Sequence, residues 1–276
     1  MPLKLMYITN KPGIAKIAEK AGVDRIFVDM EYIGKADRQG GMDTVQSQHT
    51  IEDVAHIRST ITRASLMVRI NPIHEKTAEY CSSQDEINAV IAAGADIIML
   101  PMYKTIEEVE QFIKLVRGRA QTLLLAETPE AHQKMAVISQ MNGIDEIHIG
   151  LNDLHLAYHR KFMFELLTDG TVENMCKIIK KSGKKYGFGG IARIGHGTLP
   201  AELIISEHYR LGSSMAILSR AFCNASTIVN QETIRTLFDT EVAKIRTEEI
   251  RISELSPAEL AINQSTVSKL VQSIIQ

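Results

Sequence analysis

The chain has 276 residues, of which 45% are hydrophobic and 23% charged, as in ordinary globular proteins, and this composition argues against a disordered chain or a coiled coil. Lys and Arg total 31 against 33 Asp and Glu, so the net charge of -2 provides no general attraction for nucleic acid or anionic lipid. The longest apolar runs, such as 97–102, are too short to cross a bilayer, and the N-terminus lacks a secretion signal, so we expect a cytoplasmic protein with no nucleic-acid or membrane partner.

Short apolar segments alternate with amphipathic helical stretches along the chain, which predicts a parallel sheet with helical crossovers. The predicted strands are 4–9, 25–31, 65–70, 97–102, 122–127, 146–151, 188–194 and 214–218. Eight such units favour a closed (β/α)₈ TIM barrel, although an open doubly wound sheet has the same local pattern. We therefore predict one α/β catalytic barrel domain over residues 1–225.

Several helix boundaries carry residues with known capping preferences. Gly22 and Gly212 each follow a helical stretch directly before a strand, which is typical of a helix C-terminus. Thr128 followed by Pro129 indicates an N-cap with proline at the first helical position. This places Glu127 at the very end of its strand.

Two stretches depart from the simple repeat. Residues 32–50 are polar and contain three glycines, which predicts a long loop over the barrel mouth that is either functional or mobile. After the eighth strand, 227–254 is predicted as a long helix that ends near Ser256 and is followed by an amphipathic segment to residue 276. One face of this C-terminal helical extension, residues 226–276, is too apolar for water, so we expect it to pack on its own barrel or on a neighbouring subunit of a homo-oligomer.

Charged residues occur where several predicted strands end. Asp29 and Glu31 close the second strand, Arg69 the third and Glu127 the fifth, while Asp153 follows the sixth. The C-terminal ends of barrel strands point into the active site, and burying several acids without compensation costs on the order of several kcal/mol per ion. The presence of any one of these acids is explained equally well by a helix N-cap or by a salt bridge with a basic residue. Their shared position favours a site for Mg²⁺ or Mn²⁺, with Glu127 and Asp153 as hard oxygen ligands.

Arg69 stands between Val68 and Ile70 in a predicted strand, where a guanidinium gains nothing from an apolar core. We interpret it as a carboxylate clamp, because its planar fork forms two parallel hydrogen bonds and adds positive charge where an enolate oxygen would develop. An ion pair with Asp29 or Glu31 is compatible with that role.

The nine histidines show no spacing typical of a zinc site. His148 lies inside the sixth strand and is interpreted as a satisfied core residue. His49, in the long loop, and His196, after the seventh strand, are alternatives for an acid or base at the barrel mouth.

Five segments in matching order resemble the HpcH/HpaI aldolase and citrate lyase family of metal-dependent barrels. They are Phe-Val-Asp-Met-Glu at 27–31, Val-Arg-Ile-Asn-Pro at 68–72, Gly-Ala-Asp-Ile-Ile-Met-Leu-Pro-Met at 94–102, Leu-Ala-Glu-Thr at 125–128 and Ile-Gly-Leu-Asn-Asp-Leu at 149–154. The separation of the two carboxylates, 153 minus 127 or 26 residues, also resembles the family's metal pair.

The resemblance implies that Glu127 and Asp153 hold Mg²⁺ or Mn²⁺, which chelates a small 2-oxo acid through its carboxylate and keto oxygens. Arg69 would contact the keto oxygen and stabilise a pyruvate-type enolate. The substrate carboxylate would be bound by backbone amides of Gly150, Leu151 and Asn152. The resemblance therefore implies a class II, metal-dependent aldolase or lyase that cleaves or forms a carbon–carbon bond in a 2-oxo or 3-hydroxy acid.

The chain departs from the family at the residue after Glu31. The family's aldolases have histidine there and its citrate lyases an acid, whereas this chain has Tyr32. The general base is therefore open between Tyr32, a metal-bound water and His49. We include Asp29, Glu31 and Tyr32 with Arg69 among the candidate catalytic residues.

Two alternative functions remain on the sequence alone. A lyase or synthase for CoA thioesters of the citrate lyase β type would need a basic patch for nucleotide phosphates, and Lys35 and Arg38 are the obvious candidates. A barrel that binds a metabolite without turnover is the other alternative, which the presence of Arg69, Glu127 and Asp153 argues against.

Overall fold

The structure is a computed structural model that describes residues 2–34, 47–224, 228 and 230–276. Its strands close into a barrel in chain order, and each pairs in parallel with its neighbours, β8 with β1 included. The strands are β1 Lys4–Ile8, β2 Arg25–Asp29, β3 Ser65–Arg69, β4 Ile97–Leu100, β5 Gln121–Ala126, β6 Glu146–Ile149, β7 Lys185–Ile191 and β8 Met215–Leu218. The predicted (β/α)₈ barrel is confirmed.

Helices connect the strands and cover the outside of the barrel. Within the described residues they are α1 Pro12–Ala21, α2 Ile51–Thr60, α3 Ser83–Ala92, α4 Ile106–Val116, α5 Pro129–Gln133, α6 Met135–Ile138, α7 Leu151–Ala157, α8 Glu165–Thr168, α9 Thr171–Lys181, α10 Ala201–Leu211, α11 Gln231–Ser253 and α12 Pro257–Ile275. Over these same stretches of chain, we find no helix with the length and apolar character that crossing a bilayer requires.

The capping residues occupy the positions that the sequence indicates. Gly22 and Gly212 follow α1 and α10 with left-handed backbone, at φ +99° and +73°, where glycine carries no side-chain penalty. The Thr128 hydroxyl accepts a hydrogen bond from the Ala131 N–H at 3.1 Å, and Pro129 opens α5. Strand β5 stops at Ala126, so Glu127 lies in the turn between strand and helix.

Strand β7 begins three residues before its predicted start at 188, and that predicted boundary was wrong. Glycines interrupt the apolar pattern, and the pairing with β8 shifts register between Gly187 and Gly190. A Cβ at Gly187 would lie 2.2 Å from the carbonyl oxygen of Met215, so β8 approaches too closely for any side chain. The glycines that weaken the strand signal are therefore what allows these two strands to pair.

The barrel interior is filled below the mouth. Its apolar cluster consists of Met6, Phe27, Met67, Ile97, Met99, Leu123, Leu125 and Met215. At the N-terminal ends of β2 and β6, Arg25 and Glu146 form a bidentate ion pair with N···O distances of 2.6 and 2.8 Å. The barrel is a packed core without a pore, so small molecules reach it from the C-terminal ends of the strands.

The two C-terminal helices pack on the chain's own barrel. Helix α11 contacts α1 and α10, and α12 contacts α10 and α8. From α11, the Glu249 carboxylate accepts the Leu3 N–H at 2.6 Å, and Arg246 donates to the Leu3 carbonyl at 2.8 Å. The extension thereby holds the beginning of β1.

Candidate functional site

A cavity of about 560 Å³ opens at the C-terminal ends of the strands. Four of the five charged residues that the sequence singles out at or just after strand ends line it: Asp29, Arg69, Glu127 and Asp153, whereas Glu31 is not part of the lining. The segment 150–152, predicted to bind a substrate carboxylate, lines the same cavity. The prediction was wrong for the Gly150 amide, because its N–H already donates to the Ala126 carbonyl. Residues far apart in the chain thus meet in one place because parallel strands all end at the same rim.

Arg69 is held by the two acids of the second strand end. Asp29 and Arg69 are register partners in β2 and β3, and Nε and Nη2 of Arg69 each donate to an Asp29 carboxylate oxygen at 2.8 Å. Nη1 lies 3.2 Å from Glu31 Oε2, and the guanidinium carbon stands 5.6 Å from the centre of the Phe27 ring. Both ion pairs that the sequence made possible, with Asp29 and with Glu31, are present, and they fix the orientation of the guanidinium.

The charge of Arg69 is secure in this setting. Burial alone would lower the pKa of the guanidinium. The neighbouring carboxylates of Asp29 and Glu31 outweigh that effect and raise the pKa above its ordinary value. The Arg69 side chain is 13% exposed, and it reaches the cavity wall. A substrate in the cavity therefore meets a fixed positive charge.

Glu127 is a buried carboxylate beside a second one. It is 3% exposed, and one of its oxygens accepts the Met102 N–H at 3.2 Å. Burial raises its pKa well above the ordinary value, and the charge of Asp153 raises it further, while Arg69 only partly offsets both. Two carboxylates that disfavour each other's charge in a low-dielectric site would be stabilised by a cation between them.

Gly150 leaves room beside the Glu127 carboxylate. Its N–H donates to the Ala126 carbonyl at 3.0 Å, which continues the β5–β6 pairing and brings the two backbones together. A Cβ at position 150 would lie 2.8 Å from Oε2 and from Cβ of Glu127. Any side chain here would displace the carboxylate, so glycine keeps this oxygen accessible.

The donor set fits a hard divalent cation with few protein ligands. In the described ranges, no cluster of three or more His, Cys, Asp or Glu side chains is arranged to hold a metal ion. The carboxylates of Glu127 and Asp153, which both line the cavity, are the two groups that could serve as protein ligands. Mg²⁺ typically binds through one or two carboxylates and keeps several positions for such oxygens.

Tyr32 does not line the cavity. Its N–H donates to Asn71 Oδ1 at 2.8 Å, and its hydroxyl donates to the backbone carbonyl of His49. Burial, together with the nearby Asp29 charge, raises the pKa of the phenol. The structure therefore places Tyr32 as a support for the end of the 32–50 loop, of which residues 35–46, with Lys35 and Arg38, lie outside the described residues.

His49 does line the cavity, and its ring is oriented by the backbone. The Asp29 N–H donates to His49 Nδ1 at 3.0 Å. A nitrogen that accepts a hydrogen bond carries no proton, so the neutral imidazole has its proton on Nε2. His196, the other loop histidine, is exposed and is not part of the cavity wall.

The interpretation of His148 as a satisfied core residue is corrected by the structure. The ring lies among the residues that line the cavity; Nε2 is 3.1 Å from the Gly189 carbonyl, and Nδ1 has no hydrogen-bond partner in the described part of the chain. Burial lowers the pKa of His148 to about 4, so it is neutral near pH 7. Its position two residues along β6 from the inward-facing Glu146 is the sequence signal that was missed.

The opposite wall of the cavity was also missed. It comes from β7, β8 and β1 with the loops that follow them, and its charged members are Lys11 and Arg220. Neutral polar residues, Asn10, Ser219 and Asn224, line the same wall. Loop residues carry no periodic pattern, so nothing in the sequence distinguishes these side chains from ordinary surface residues.

The fold is similar to those of several solved structures. The HpcH/HpaI aldolase from Desulfitobacterium hafniense DCB-2 has a TM-score of 0.63 and 15% identity over 92% of this chain and 94% of that one. An HpcH/HpaI aldolase/citrate lyase family protein from Burkholderia cenocepacia J2315 has a TM-score of 0.62 and 13% identity, covering 86% and 94%. The citrate synthase SbnG has a TM-score of 0.59 and 15% identity, covering 90% and 94%. Such identities show a shared fold.

Sequence comparison identifies the family. No curated protein sequence matches the chain. The family described as HpcH/HpaI aldolase/citrate lyase matches residues 4–182, from β1 to the end of α9. That range includes Asp29, Arg69, Glu127 and Asp153. Since the match covers more than half of the chain, this protein belongs to the HpcH/HpaI aldolase/citrate lyase family, whose members are aldolases and lyases.

Proposed function

We propose that this protein is a metal-dependent carbon–carbon lyase or aldolase acting on a small 2-oxo or 3-hydroxy acid through a pyruvate-type enolate. The observation that carries the proposal is the meeting of two carboxylates, Glu127 and Asp153, with the fixed guanidinium of Arg69 in one cavity. Membership of an aldolase and lyase family supports the same class of reaction.

Glu127 and Asp153 would hold Mg²⁺ or Mn²⁺. When bound, the cation supplies Lewis acidity that makes the carbon next to a keto group easier to deprotonate or to cleave. The chain contributes the charge that attracts it, because Glu127 is buried beside a second acid, and the open space next to Gly150 that leaves an oxygen of Glu127 accessible.

Arg69 supplies a positive charge where the keto oxygen becomes an enolate oxygen. Asp29 and Glu31 hold the guanidinium in place before substrate arrives, so no free energy is spent on orienting it during the reaction. Preorganised donors of this kind typically contribute about 10²-fold to 10³-fold to the rate. Asp29 and Glu31 are thus positioning residues for Arg69.

The carboxylate of the substrate would be bound at the beginning of α7. Leu151 and Asn152 are the first residues of this helix, and the first N–H groups of a helix have no partner within it. Gly150 precedes them and lines the cavity beside Glu127. A 2-oxo acid held there would lie next to both proposed metal ligands.

Among the residues considered for proton transfer, His49 is the one that lines the cavity. Its proton is on Nε2, so in the neutral form it donates to a substrate oxygen and does not remove a proton. The Tyr32 hydroxyl donates a hydrogen bond to the His49 carbonyl and so supports the backbone at His49. We assign His49 as the hydrogen-bond donor and Tyr32 as its support.

Proton exchange in pyruvate tests the proposal directly. The protein is incubated with pyruvate in deuterated water with Mg²⁺ or Mn²⁺ and then with EDTA, and the loss of the methyl proton signal is followed by NMR. We expect exchange that requires the cation and is abolished in Glu127→Gln. Glu110→Gln, which changes a glutamate that is about half exposed on α4, is the matched control and retains exchange.

The absence of exchange with any divalent cation would contradict the proposal and favour a barrel that binds a metabolite without turnover. A lyase or synthase for CoA thioesters rests on Lys35 and Arg38, which lie outside the described residues, so no observation of the structure favours it. The cytoplasmic location, the 2-oxo acid as partner and the homo-oligomer remain predictions.

A further inference from the structure

Two buried polar side chains near the end of β3 are not part of the cavity lining. Asn71 stands two residues after Arg69, where the chain leaves β3, and it is 5% exposed. Glu86 lies in the first turn of α3 and is 4% exposed. The proposed reaction gives neither side chain a role, and buried polar groups of this kind are expected to have hydrogen-bond partners.

Asn71 continues the contact between β2 and β3 beyond the last residues of these strands. The Met30 N–H donates to the Arg69 carbonyl at 2.9 Å, which adds a backbone hydrogen bond after the strands end. Farther along the chain, Oδ1 of Asn71 accepts the N–H groups of Tyr32 at 2.8 Å and of Ile33 at 3.0 Å. One side-chain oxygen therefore holds the chain where it leaves the sheet.

The orientation of the Asn71 carboxamide follows from its partners. A backbone N–H only donates, so the carbonyl oxygen of Asn71 faces Tyr32 and Ile33, and its amide group faces Glu86. Nδ2 donates to Glu86 Oε1 at 2.8 Å, and the Asn71 N–H donates to the same oxygen at 3.2 Å. An ionised carboxylate only accepts hydrogen bonds, so Glu86 excludes the flipped orientation of the carboxamide.

The charge of Glu86 is costly in this position. Burial raises the pKa of its carboxyl group, and the hydrogen bonds from the backbone and side chain of Asn71, with the charge of His74, only partly offset this effect. An apolar side chain of similar size would be easier to bury. The orientation that a carboxylate gives to Asn71 is therefore a reason for its presence here.

The segment that Asn71 holds carries two contacts to residues of the cavity lining. Directly before Tyr32, the Glu31 carboxylate lies 3.2 Å from Nη1 of Arg69. The Tyr32 hydroxyl donates to the backbone carbonyl of His49. Arg69 and His49 both line the cavity. A displacement of this segment would therefore reach both the positive charge and the neutral donor of the site.

We propose that Asn71 and Glu86 are positioning residues: Glu86 orients the Asn71 carboxamide, and Asn71 holds residues 31–33 so that Arg69 and His49 keep their orientation. Both act from outside the cavity, through the backbone between β2 and the long loop. The inference rests on the proposed function, because its effect on rate assumes the enolate reaction. Its effect on His49 is measurable without that reaction.

Reversing the polarity of the pair tests the inference. Asn71→Asp keeps an oxygen for Tyr32 and Ile33 but places a second carboxylate against Glu86. At pH 8, which disfavours a proton shared between the two acids, we expect kcat for metal-dependent pyruvate proton exchange to fall by about 10-fold to 100-fold. The double variant Asn71→Asp with Glu86→Gln has one carboxylate and one amide again, in exchanged positions, and should recover at least about 10-fold of the loss.

Metal binding separates positioning from a general loss of structure. Asn71→Asp should leave Mn²⁺ affinity, measured by electron paramagnetic resonance titration, close to the wild-type value, because Glu127 and Asp153 lie on other elements. A fall in Mn²⁺ affinity as large as the fall in kcat would overturn the inference. Asn142→Asp, the same change at an exposed residue, is the matched control and keeps both values.

The ring of His49 provides a signal that needs no activity. In ¹⁵N-histidine-labelled protein, its signals are assigned by their loss in His49→Gln. The Asp29 N–H donates to Nδ1 of His49, and we expect this nitrogen signal to shift in Asn71→Asp and to return toward its wild-type position in the double variant. Unchanged His49 signals in Asn71→Asp would overturn the inference.

The outcomes separate this inference from the proposed function. If the wild type exchanges pyruvate protons but Asn71→Asp matches it, or the double variant recovers nothing, the positioning role is refuted and the enolate chemistry stands. If the wild type shows no exchange, the proposed function fails and the His49 signals alone decide. If Asn71→Asp does not fold, Asn71→Ala removes the oxygen without adding charge, and wild-type kcat and His49 signals in that variant overturn the inference.

Discussion

The backbone N–H of Asp29 donates to Nδ1 of His49, while the carboxylate of the same Asp29 accepts two hydrogen bonds from Arg69. One residue at the end of β2 therefore orients a neutral donor and a positive charge on the same side of the cavity. Tyr32, directly after Glu31, lies outside the cavity lining, whereas His49, farther along the chain, is part of it.

The first prediction concerns His49. Because its proton is on Nε2, it acts as a donor, so His49→Phe should lower the rate of pyruvate proton exchange by about 10²-fold, the lower end of the range for a positioned proton donor. His49→Gln should retain more activity, because its amide N–H can donate from a similar position. Exposed His56→Gln is the control, and equal rates for Phe and Gln at position 49 would contradict the assignment.

The second prediction separates the two roles of Arg69. Arg69→Met removes the guanidinium that forms ion pairs with the buried Asp29 and Glu31 and should reduce the free energy of unfolding by about 3–5 kcal/mol. Arg69→Lys keeps a charge but cannot form both hydrogen bonds to Asp29, so we expect most of the stability to remain while kcat falls by about 10²-fold or more. Chemical unfolding and exchange kinetics on both variants measure the two effects, and parallel losses in both would show that Arg69 is structural only.

The third prediction uses the space beside Gly150. In Gly150→Ala the added methyl group would meet Oε2 of Glu127 at 2.8 Å, so the carboxylate must move. We expect Mn²⁺ affinity, measured by electron paramagnetic resonance titration, to fall by about 10-fold to 100-fold, as when neighbours of metal ligands are changed. Gly13→Ala meets only the end of the Gln231 side chain and should leave Mn²⁺ binding unchanged. Unaltered affinity in Gly150→Ala would argue against Glu127 as a ligand.

The fourth prediction is a dependence of stability on pH. His208 is fully buried and stacked on Phe188 at 3.8 Å, and burial lowers its pKa to about 3. In the unfolded chain a histidine has a pKa of about 6.5. Between pH 6.5 and 3 His208 is therefore protonated in the unfolded state but not in the folded state, and the free energy of unfolding falls as the pH drops toward 3.

This contribution has a slope of up to about 1.4 kcal/mol per pH unit. In His208→Phe the ring remains stacked and the titrating group is gone, so the loss of stability between pH 6.5 and 4 should be shallower than in the wild type. Denaturant unfolding at pH 7, 6 and 5 measures the slopes, and identical slopes would exclude His208 as the source.

The arrangement of the acids was predictable because it follows from strand ends alone. In a parallel barrel every strand finishes at one rim, and Glu127 directly after β5 and Asp153 in the first turn of the helix after β6 both lie close to that rim. The pairing of Asp29 with Arg69 follows equally from their position as register partners on neighbouring strands. Strand boundaries were less certain where glycines interrupt the apolar pattern, as at Gly187.

The remaining features depend on tertiary structure. His148 lies in an apolar strand, and only the structure shows that Nε2 is close to the Gly189 carbonyl while Nδ1 has no hydrogen-bond partner among the described residues. The position of His49 depends on the path of a long loop, and Lys11 and Arg220 lie beyond strand ends, where periodicity carries no information. These residues were found from the cavity and not from the pattern.

The hydrogen bonds from α11 to Leu3 have a consequence for the order in which the protein is made. Leu3 and Glu249 are separated by 246 positions in the chain. At synthesis rates of about 5–20 residues per second, the first strand leaves the ribosome on the order of tens of seconds before the carboxylate that will hold it. Strand β8 also precedes α11 in the chain, so β1 and β8 can pair before the hydrogen bonds from α11 to Leu3 form.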